Sequence, residues 1–217
     1  MVVKGAVRKV DEAAAVVVVL AAGRGTRFAA AAGDDATHKL AQPLGGGSTV
    51  IGRTLTVVLQ SRLPLVVVTA PALLAEVTRT VAARDVAPLP SQGSSPEGMG
   101  TSIAIGVAAR PHASGWLILP GDMPALRPES LRLVAAELAG HPVAYAQHRG
   151  RRGHPVGFAA ELYSELVQLS GDEGARRLVA RYPAHGVELD DEGVLIDIDT
   201  PADLRRFAGG EAQAVPR

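Results

Sequence analysis

The sequence predicts a single α/β domain built around a mostly parallel sheet, and three observations predict it. Short β-branched runs alternate with segments of helical apolar spacing. The runs show no polar alternation, which is typical of strands that are buried on both faces. Hydrophobic residues make up 47% of the 217 positions, which is enough for the core of one domain. Alternating strands and helices form βαβ units that bind ligands beyond the carboxyl ends of the strands, so we expect the functional site in those loops.

The first predicted strand is the run AVVVVL at 15–20, which ends in a glycine-bearing turn. Further strands are predicted at 65–69, 86–89, 116–119, 143–146 and 194–198. Apolar spacing predicts helices at 51–62, 71–83, 102–109, 128–138 and 160–169, several of which begin at a proline, a hydroxyl residue or an acidic residue. We expect residues 1–14 to be a flexible leader, 15–208 to form one domain and 209–217 to be a disordered tail.

The composition excludes several classes of function. The 22 Lys and Arg residues balance 22 Asp and Glu residues, which argues against nucleic acid or an acidic membrane as a partner. The absence of cysteine excludes disulfides, thiolate metal sites and cysteine nucleophiles. Aromatic residues are only 3% of the chain, too few for platforms that stack bases. No apolar stretch reaches the roughly 18 residues of a membrane span, so we expect a cytoplasmic protein.

The loop after the first predicted strand has the sequence LAAGRGTRF. Glycines at 23 and 25 allow backbone N–H groups to turn inward, and such a loop, with Arg24 and Arg27 beside it, suits a polyphosphate. The same pattern is also typical of an ordinary strand-to-helix turn. The chain has no Walker A sequence, and Phe28 stands where a dinucleotide-binding loop needs a small residue.

Two acidic segments follow predicted strands. Asp122 lies in PGDMP, where Gly and Pro restrict the backbone, and a carboxylate there suits a hard cation bound to phosphate oxygens, although an aspartate can also cap a turn. Asp197 and Asp199 lie on the same side of an extended segment in DIDTP. Thr200 and Pro201 have the pattern of a helix start, so one acid of this pair is enough for a metal ligand.

Two further loops have polar residues in less specific patterns. The Gly- and Ser-rich segment 93–102 can press its backbone against a flat ring, or it is a solvent loop in which Ser102 caps a helix. The segment RRGHPVGF precedes what we expect to be an edge strand, and its histidine is more often structural than catalytic. His38 is next to Lys39 and within reach of a phosphate. The remaining histidines show no metal-binding spacing and are predicted to be surface residues: His112, His141, His148 and His185.

The string LAAGRGTRF followed by Lys39 resembles the signature of the Rossmann-like nucleotidyltransferases, L-A-A-G-x-[GS]-x-R-[MF]-G with a following Lys. Three further strings, EGMGTSIAIG, RGHPV and LSGDEGAR, resemble the molybdenum cofactor cytidylyltransferase-like proteins of the MobA-like NTP transferase family. The chain departs from the signature at Ala29, where Gly is usual, and in the longer stretch 29–38. The resemblance implies a single three-layer αβα Rossmann-like domain of the nucleotide-diphospho-sugar transferase type.

The resemblance also implies a role for individual residues. It implies that Arg27, Lys39 and Asp122 are catalytic, and that Asp122 holds Mg²⁺ together with Asp199 or Asp197. It implies Arg152, His154, Asp172 and Arg176 on the acceptor side. The residues implied in nucleotide binding are Leu20, Ala21, Ala22, Gly23, Arg24, Gly25, Gly98, Met99, Gly100, Ser102 and Gly121.

The activity that the resemblance implies is transfer of CMP from CTP to molybdopterin, most simply the molybdenum-loaded cofactor, with release of pyrophosphate. A molybdenum hydroxylase or its chaperone is the implied protein partner. Within the enzyme class, GTP as donor or a sugar phosphate as acceptor stays open. Two other classes stay open as well: an NAD(P)H-dependent oxidoreductase and a non-catalytic cofactor chaperone. Against the oxidoreductase, the second predicted strand ends in Thr69-Ala70-Pro71, with no acid for a ribose.

Overall fold

A computed structural model describes residues 14–23, 25, 28, 30, 38–89 and 98–209. The strands that it describes are β1 (Val16–Ala21), β2 (Pro43–Gly45), β3 (Ser48–Thr49), β4 (Leu65–Thr69), β5 (Val86–Pro88), β6 (Gly115–Pro120), β7 (Val143–His148), β8 (Arg151–Ala159) and β9 (Ala184–Glu188). Seven of them form one sheet in the order β5-β4-β1-β6-β8-β7-β9, and β2 pairs with β3 in a separate ribbon. Within the seven-stranded sheet β8 alone runs antiparallel to its neighbours β6 and β7.

The helices in the described part of the chain are α1 (Val50–Ser61), α2 (Leu74–Thr78), α3 (Met99–Ala108), α4 (Pro128–Glu137), α5 (Tyr163–Leu166), α6 (Arg176–Arg181) and α7 (Pro201–Ala208). Short 3-10 turns lie at Lys39–Ala41, Pro71–Leu73, Ala83–Asp85, Ala160–Leu162 and Glu192–Leu195. None of these helices has the length and apolar character needed to cross a membrane.

The central strand β1 explains why the sheet is hydrophobic on both faces. Val17 and Val19 pack into one core with α1 and α4, whereas Val16 and Val18 pack into a second core with α3. Each of these valines is at most 4% exposed. A strand covered on both faces needs apolar residues at every position, which is why the run shows no alternation. Helices on both sides of the sheet give the predicted three layers.

The structure corrects three predictions about individual elements. Residues 194–198 are not a strand: they continue from the 3-10 turn Glu192–Leu195, and their apolar character comes from burial of Val194 and Ile198, both 0% exposed. The strand β9 was not predicted from the sequence because its burial is only partial. The strand β8 is not at an edge of the sheet, since it lies between β6 and β7.

Two predicted helices are shorter than expected, and one helix was not predicted. The 71–83 segment begins as a 3-10 turn and its helix α2 ends at Thr78. The 160–169 segment likewise divides into a 3-10 turn and the four-residue α5. Helix α6 was missed because it is six residues long and buries only Leu178.

The contact between α3 and the sheet gives a test of the packing. A Cβ at Gly106 would overlap Val18 Cγ1 and lie 3.0 Å from Val68 Cγ2. We expect Gly106→Ala to lower the free energy of unfolding by about 1–3 kcal/mol, because overpacking forces these strands apart from the helix. Urea unfolding of the purified variant measures the change.

The matched control for this variant is Gly140→Ala. No atom lies within 4 Å of the added Cβ, so its free energy of unfolding should change by less than about 0.5 kcal/mol. Equal effects of the two substitutions would contradict close packing at Gly106.

Candidate active site

The predicted catalytic segments meet at the edge where β1, β4 and β6 end, here called the carboxyl edge. The amino end of the antiparallel β8 lies at the same edge. Gly121 follows β6, and its N–H donates to the carbonyl oxygen of Leu20 over 2.9 Å. A Cβ at Gly121 would lie 3.0 Å from that oxygen and 3.0 Å from Ile51 Cδ1. The missing side chain therefore lets the segment that holds Asp122 lie close to the loop after β1.

The centre of this edge is an ion-pair triad of Lys39, Asp122 and Asp199. The Lys39 Nζ lies 2.6 Å from Asp122 Oδ2 and 2.9 Å from Asp199 Oδ1. The three side chains are 15%, 12% and 29% exposed in that order. Partial burial alone would lower the pKa of the lysine, but the two carboxylates outweigh burial and raise it. Lys39 is therefore a fixed ammonium between two carboxylates, and its predicted contact with phosphate stays a prediction.

Lys39 is positioned by its neighbour His38. The Nδ1 atom of His38 accepts a hydrogen bond from the Leu40 N–H over 3.2 Å. The other ring nitrogen, Nε2, is therefore the protonated one, and it lies 2.8 Å from the carbonyl oxygen of Gly23. Gly25 has φ +61°, and a Cβ there would lie 3.3 Å from Lys39 Cγ. His38 thus links the loop after β1 to Lys39, and its predicted reach to a phosphate stays a prediction.

The two aspartates are held by backbone contacts between their segments. The Ile198 N–H donates to the carbonyl oxygen of Asp122 over 3.0 Å, which joins the DIDTP segment to the end of β6. Behind Asp199, Thr200 and Asp203 form a capping box that starts α7, as the pattern of a helix start predicted. The backbone is therefore held in place both before and after Asp199.

The residues present suit a divalent cation. Asp122 Oδ1 is buried and has no hydrogen-bond partner among the described residues, whereas Asp122 Oδ2 is used by Lys39. Partial desolvation and the charges of Asp122 and Asp199 raise the pKa of Asp197. Three carboxylates around one ammonium leave excess negative charge among the described residues, and hard oxygen donors are the ligands that Mg²⁺ and Mn²⁺ prefer. The orphaned oxygen is the atom that a cation would satisfy.

His154 lies beside these carboxylates. Its Nδ1 atom is buried and has no hydrogen-bond partner in the part of the chain that the structure describes. Burial lowers the pKa of His154, the charge of Asp122 opposes that change, and the charge of Arg152 lowers the pKa further. The ring is therefore neutral near pH 7 and can donate or accept one hydrogen bond.

The acceptor-side prediction also included Arg152, whose guanidinium lies over the ring of Tyr145, 4.4 Å from its centroid. Between Arg152 and His154, a Cβ on Gly153 would overlap the carbonyl oxygen of Val194. The glycine of RGHPV is therefore required for close contact with the turn that leads to Asp197 and Asp199.

The glycines of the EGMGTSIAIG segment have a packing role. A Cβ at Gly98 would overlap the backbone of Gly171, and a Cβ at Gly100 would lie 2.6 Å from the carbonyl oxygen of Ser170. The Gly100 N–H donates to the Gly171 carbonyl oxygen over 2.8 Å. This segment and the LSGDEGAR segment therefore lie in direct contact. The predicted contact of Gly98 and Gly100 with a nucleotide stays a prediction.

Of the other predicted site residues around α3, one is hydrogen-bonded at the start of the helix and the others are exposed. The helix begins at Met99, so Ser102 lies in its first turn and donates through Oγ to the Gly98 carbonyl oxygen over 3.2 Å, rather than capping the helix. Met99 is 53% exposed and presents an apolar surface at this end of the helix. Asp172 is exposed on the turn next to Gly98, and Arg176 is exposed at the first residue of α6.

Some predicted site residues lie outside the described residues. Arg24 and Arg27, the arginines of the loop after β1, are among them, so their predicted contacts with phosphate stay predictions. The described part of that loop contributes Gly23 and Gly25, which adjoin His38 and Lys39.

The sequence did not indicate the role of Asp191, which is 4% exposed. Its carboxylate accepts hydrogen bonds from the Ser130 hydroxyl over 2.6 Å, the Arg127 N–H over 2.9 Å and the Gly193 N–H over 3.0 Å. These bonds tie the start of α4 to the turn that precedes Asp197. The signal available in the sequence is the order Asp-Glu-Gly, in which an aspartate accepts from the N–H two residues on.

Comparisons with known proteins agree with the fold described above. A family model described as "MobA-like NTP transferase domain" matches residues 17–187. A crystal structure of Rv0371c from Mycobacterium tuberculosis H37Rv in complex with manganese superposes with a TM-score of 0.70 at 26% identity, covering 91% of this chain and 98% of that one. The likeness confirms the predicted fold class.

Two curated relatives match over part of their length. The purine catabolism protein PucB of Bacillus subtilis (strain 168) is 37% identical over 110 residues, which are 48% of this chain and 53% of the relative. The phosphoenolpyruvate guanylyltransferase of Nocardia farcinica (strain IFM 10152) is 36% identical over 124 residues, 52% of this chain and 51% of the relative. The chain thus spans about half the length of the curated relatives that it matches.

The surroundings of His154 predict how it titrates. In metal-free protein we expect its pKa below the ordinary value of about 6.5. Asp122→Asn should lower the pKa further, because it removes an attractive negative charge, and Arg152→Ala should raise it. In the unsubstituted protein, the unfolded chain binds a proton at His154 more tightly than the folded chain does. His154 therefore makes the folded protein lose stability as the pH falls below about 6.5.

NMR titration of the histidine ring signals measures this pKa, and the spectrum of His154→Gln assigns the signal. A His154 midpoint at or above the ordinary value of about 6.5 would contradict the effect of burial.

Proposed function

This chain belongs to the MobA-like NTP transferase family and is a nucleotidyltransferase, and on that premise we propose that it transfers CMP from CTP to molybdopterin or the molybdenum-loaded cofactor. The observation that carries the proposal is the ammonium of Lys39 between Asp122 and Asp199 below the glycine loop after β1. The proposal includes a cytoplasmic location and a molybdenum hydroxylase or its chaperone as the recipient of the product.

The proposed reaction joins two phosphates. An oxygen of the acceptor's phosphomonoester attacks the α-phosphorus of CTP, a new P–O bond forms, and the bond from the α-phosphorus to the oxygen bridging to the β-phosphorus breaks. Pyrophosphate leaves with that electron pair. Because the second pKa of a phosphomonoester is about 6, the attacking oxygen is already ionised at pH 7. The proposed reaction therefore needs no general base.

The chain's own residues would align the phosphates and balance their charge. We assign Lys39 and Arg27 to neutralise the triphosphate. Asp122 and Asp199 would hold a divalent cation, with Asp197 as the further candidate, and Mg²⁺ is the ion that we propose. Such an ion, when bound, supplies additional positive charge to the phosphate oxygens. The orphaned Asp122 Oδ1 supports this assignment.

The acceptor side of the site is assigned to the amino end of β8. Arg152 is suited to a phosphate because its planar guanidinium can bind two oxygens at once. Its stacking on Tyr145 limits the positions that it can take. His154 is neutral near pH 7, so we assign it to a hydrogen bond with the acceptor and not to charge neutralisation. Asp172 and Arg176 complete the proposed acceptor side.

Molybdopterin as the acceptor is supported by the three strings that resemble the cytidylyltransferase-like branch. Two of these, EGMGTSIAIG and LSGDEGAR, lie in contact through Gly100 and Gly171. The third, RGHPV, packs through Gly153 against the segment that leads to the metal-binding acids. Two of the three strings are thus in contact with each other, and the third is in contact with the turn before Asp197 and Asp199.

A second candidate function keeps the reaction and changes the substrates. The relative named as a phosphoenolpyruvate guanylyltransferase is 36% identical over 124 residues. Its name makes GTP the second candidate donor, with a small phosphorylated acid as acceptor.

The central test is pyrophosphate release from defined substrate pairs. With CTP, Mg²⁺ and molybdopterin, we expect pyrophosphate and the cytosine dinucleotide, and Asp122→Ala should lower kcat by about 10²–10³ because it removes charge organisation at the phosphates. The exposed Asp190→Ala variant is the matched control and should keep full activity. Turnover with GTP alone would replace the first candidate by the second. Binding without turnover in any pair would favour a cofactor chaperone, and tight NADPH binding without Mg²⁺ would favour an oxidoreductase.

The triad gives a second test, in which activity and metal affinity change in opposite directions. Lys39→Met should lower kcat by about 10²–10³, because a charge on the triphosphate is no longer neutralised. The same substitution should tighten Mn²⁺ binding in the absence of nucleotide by about tenfold, or ~1.4 kcal/mol, because the ammonium no longer competes for Asp122 and Asp199.

Isothermal titration calorimetry of nucleotide-free protein measures the Mn²⁺ affinity. Arg84→Met, at a side chain that is 86% exposed, is the control for loss of a positive charge elsewhere. Weaker Mn²⁺ binding to a folded Lys39→Met protein would contradict the assignment of the two acids to the cation.

A further inference from the structure

A second cluster of metal-ligating side chains lies at the opposite edge of the sheet, here called the amino edge. Glu137 is the last residue of α4, His141 lies in the loop to β7, and His185 is the second residue of β9. One carboxylate oxygen and one ring nitrogen from each histidine all lie within 4.8 Å of one another. The sequence had predicted both histidines to be isolated surface residues, because 44 positions separate them.

The topology explains why these residues meet. Helix α4 packs against both β7 and β9, and it ends where these strands begin. In the parallel pairing of β7 with β9, His185 lies opposite Ala144, three residues after His141. The amino edge therefore brings together one side chain from each of a helix end, a loop and a strand.

The distances within the cluster are close to those of a metal site. Glu137 Oε2 lies 3.4 Å from His141 Nδ1 and 3.7 Å from His185 Nε2. Ligands bonded to tetrahedral zinc at about 2.0–2.1 Å are about 3.4 Å apart. The imidazole rings stack with centroids 4.2 Å apart and planes 14° apart. One nitrogen of each ring lies within 4 Å of the same carboxylate oxygen, Glu137 Oε2.

We propose that Glu137, His141 and His185 bind a transition-metal ion of the Zn²⁺ class. Two imidazoles and one carboxylate are ligands that such ions prefer, whereas the all-oxygen donors at the carboxyl edge suit Mg²⁺ or Mn²⁺. The side chains are 38–43% exposed, so an ion can reach them from solvent. His141 Nδ1 also lies 3.1 Å from the carbonyl oxygen of Glu137, and the ion replaces the proton shared there.

The bound ion would add a link between β9 and the end of α4, which already pack against each other. In the described sheet β9 is an edge strand whose one neighbour is β7. A metal held by Glu137, His141 and His185 attaches β9 to the end of α4. Because it binds the folded arrangement, Zn²⁺ raises thermal stability by mass action. The proposed site does not depend on the nucleotidyl-transfer proposal.

The test measures Zn²⁺ binding to tag-free protein in excess Mg²⁺, which occupies the carboxyl edge. Isothermal titration calorimetry should give one Zn²⁺ per chain, and Zn²⁺ should raise the melting temperature by several degrees. His141→Ala and His185→Ala should each weaken binding by at least tenfold and abolish the melting shift. His112→Ala, which removes an exposed histidine elsewhere, should leave both unchanged.

Asp122→Asn separates the two edges, because it changes the carboxyl edge and should keep the Zn²⁺ affinity of the parent protein. Circular dichroism without metal shows whether each variant is folded. Equal Zn²⁺ affinity in the parent protein and in folded His141→Ala and His185→Ala overturns the proposal, as does loss of binding in Asp122→Asn.

Discussion

The structure depends on how negative charge is balanced where the carboxyl ends of β1 and β6 meet. Parallel strands direct Asp122 and the DIDTP segment to one edge, and partly buried carboxylates repel one another in a medium less polar than water. The ammonium of Lys39 makes that convergence possible by pairing with Asp122 and Asp199. The same arrangement leaves one Asp122 oxygen unsatisfied. Under the function that we propose, a divalent cation bound with the nucleotide would satisfy this oxygen.

Several close backbone contacts keep the triad in place. Gly121 lets β6 approach the loop after β1, and Gly153 lets β8 approach the turn before Asp197. Gly98 and Gly100 do the same for the turn at Ser170. Gly98, Gly100 and Gly153 fall in the strings that resemble a nucleotidyltransferase family, so these strings have a physical role in packing. Part of the pattern describes how loops pack, and only part describes which atoms contact a ligand.

The sequence was most informative where one physical requirement decided the structure. The run at 15–20 had to be a buried strand, and LAAGRGTRF, Lys39 and PGDMP pointed to a common edge. Prediction failed where buried residues did not belong to a strand, and where a strand had few buried residues. Val194 and Ile198 are fully buried without belonging to a strand, and β9 is a strand with little burial. The contacts of His141 with His185 and of Asp191 with Ser130 join distant positions, and no local pattern encodes such contacts.

The single antiparallel strand brings the predicted acceptor residues Arg152 and His154 to the same edge as Asp122. If β8 ran parallel to β6, Arg152 and His154 would lie at the amino edge, far from Asp122. Because β7 and β8 instead form a hairpin, their turn lies at the carboxyl edge, and Glu188 of β9 accepts hydrogen bonds from the Arg149 and Gly150 N–H groups in that turn. Asp122 of the triad follows the parallel strand β6, and the hairpin supplies a second wall beside the triad. The nucleotidyl transfer that we propose joins two phosphates, and it would need these two surfaces on the same side of the sheet.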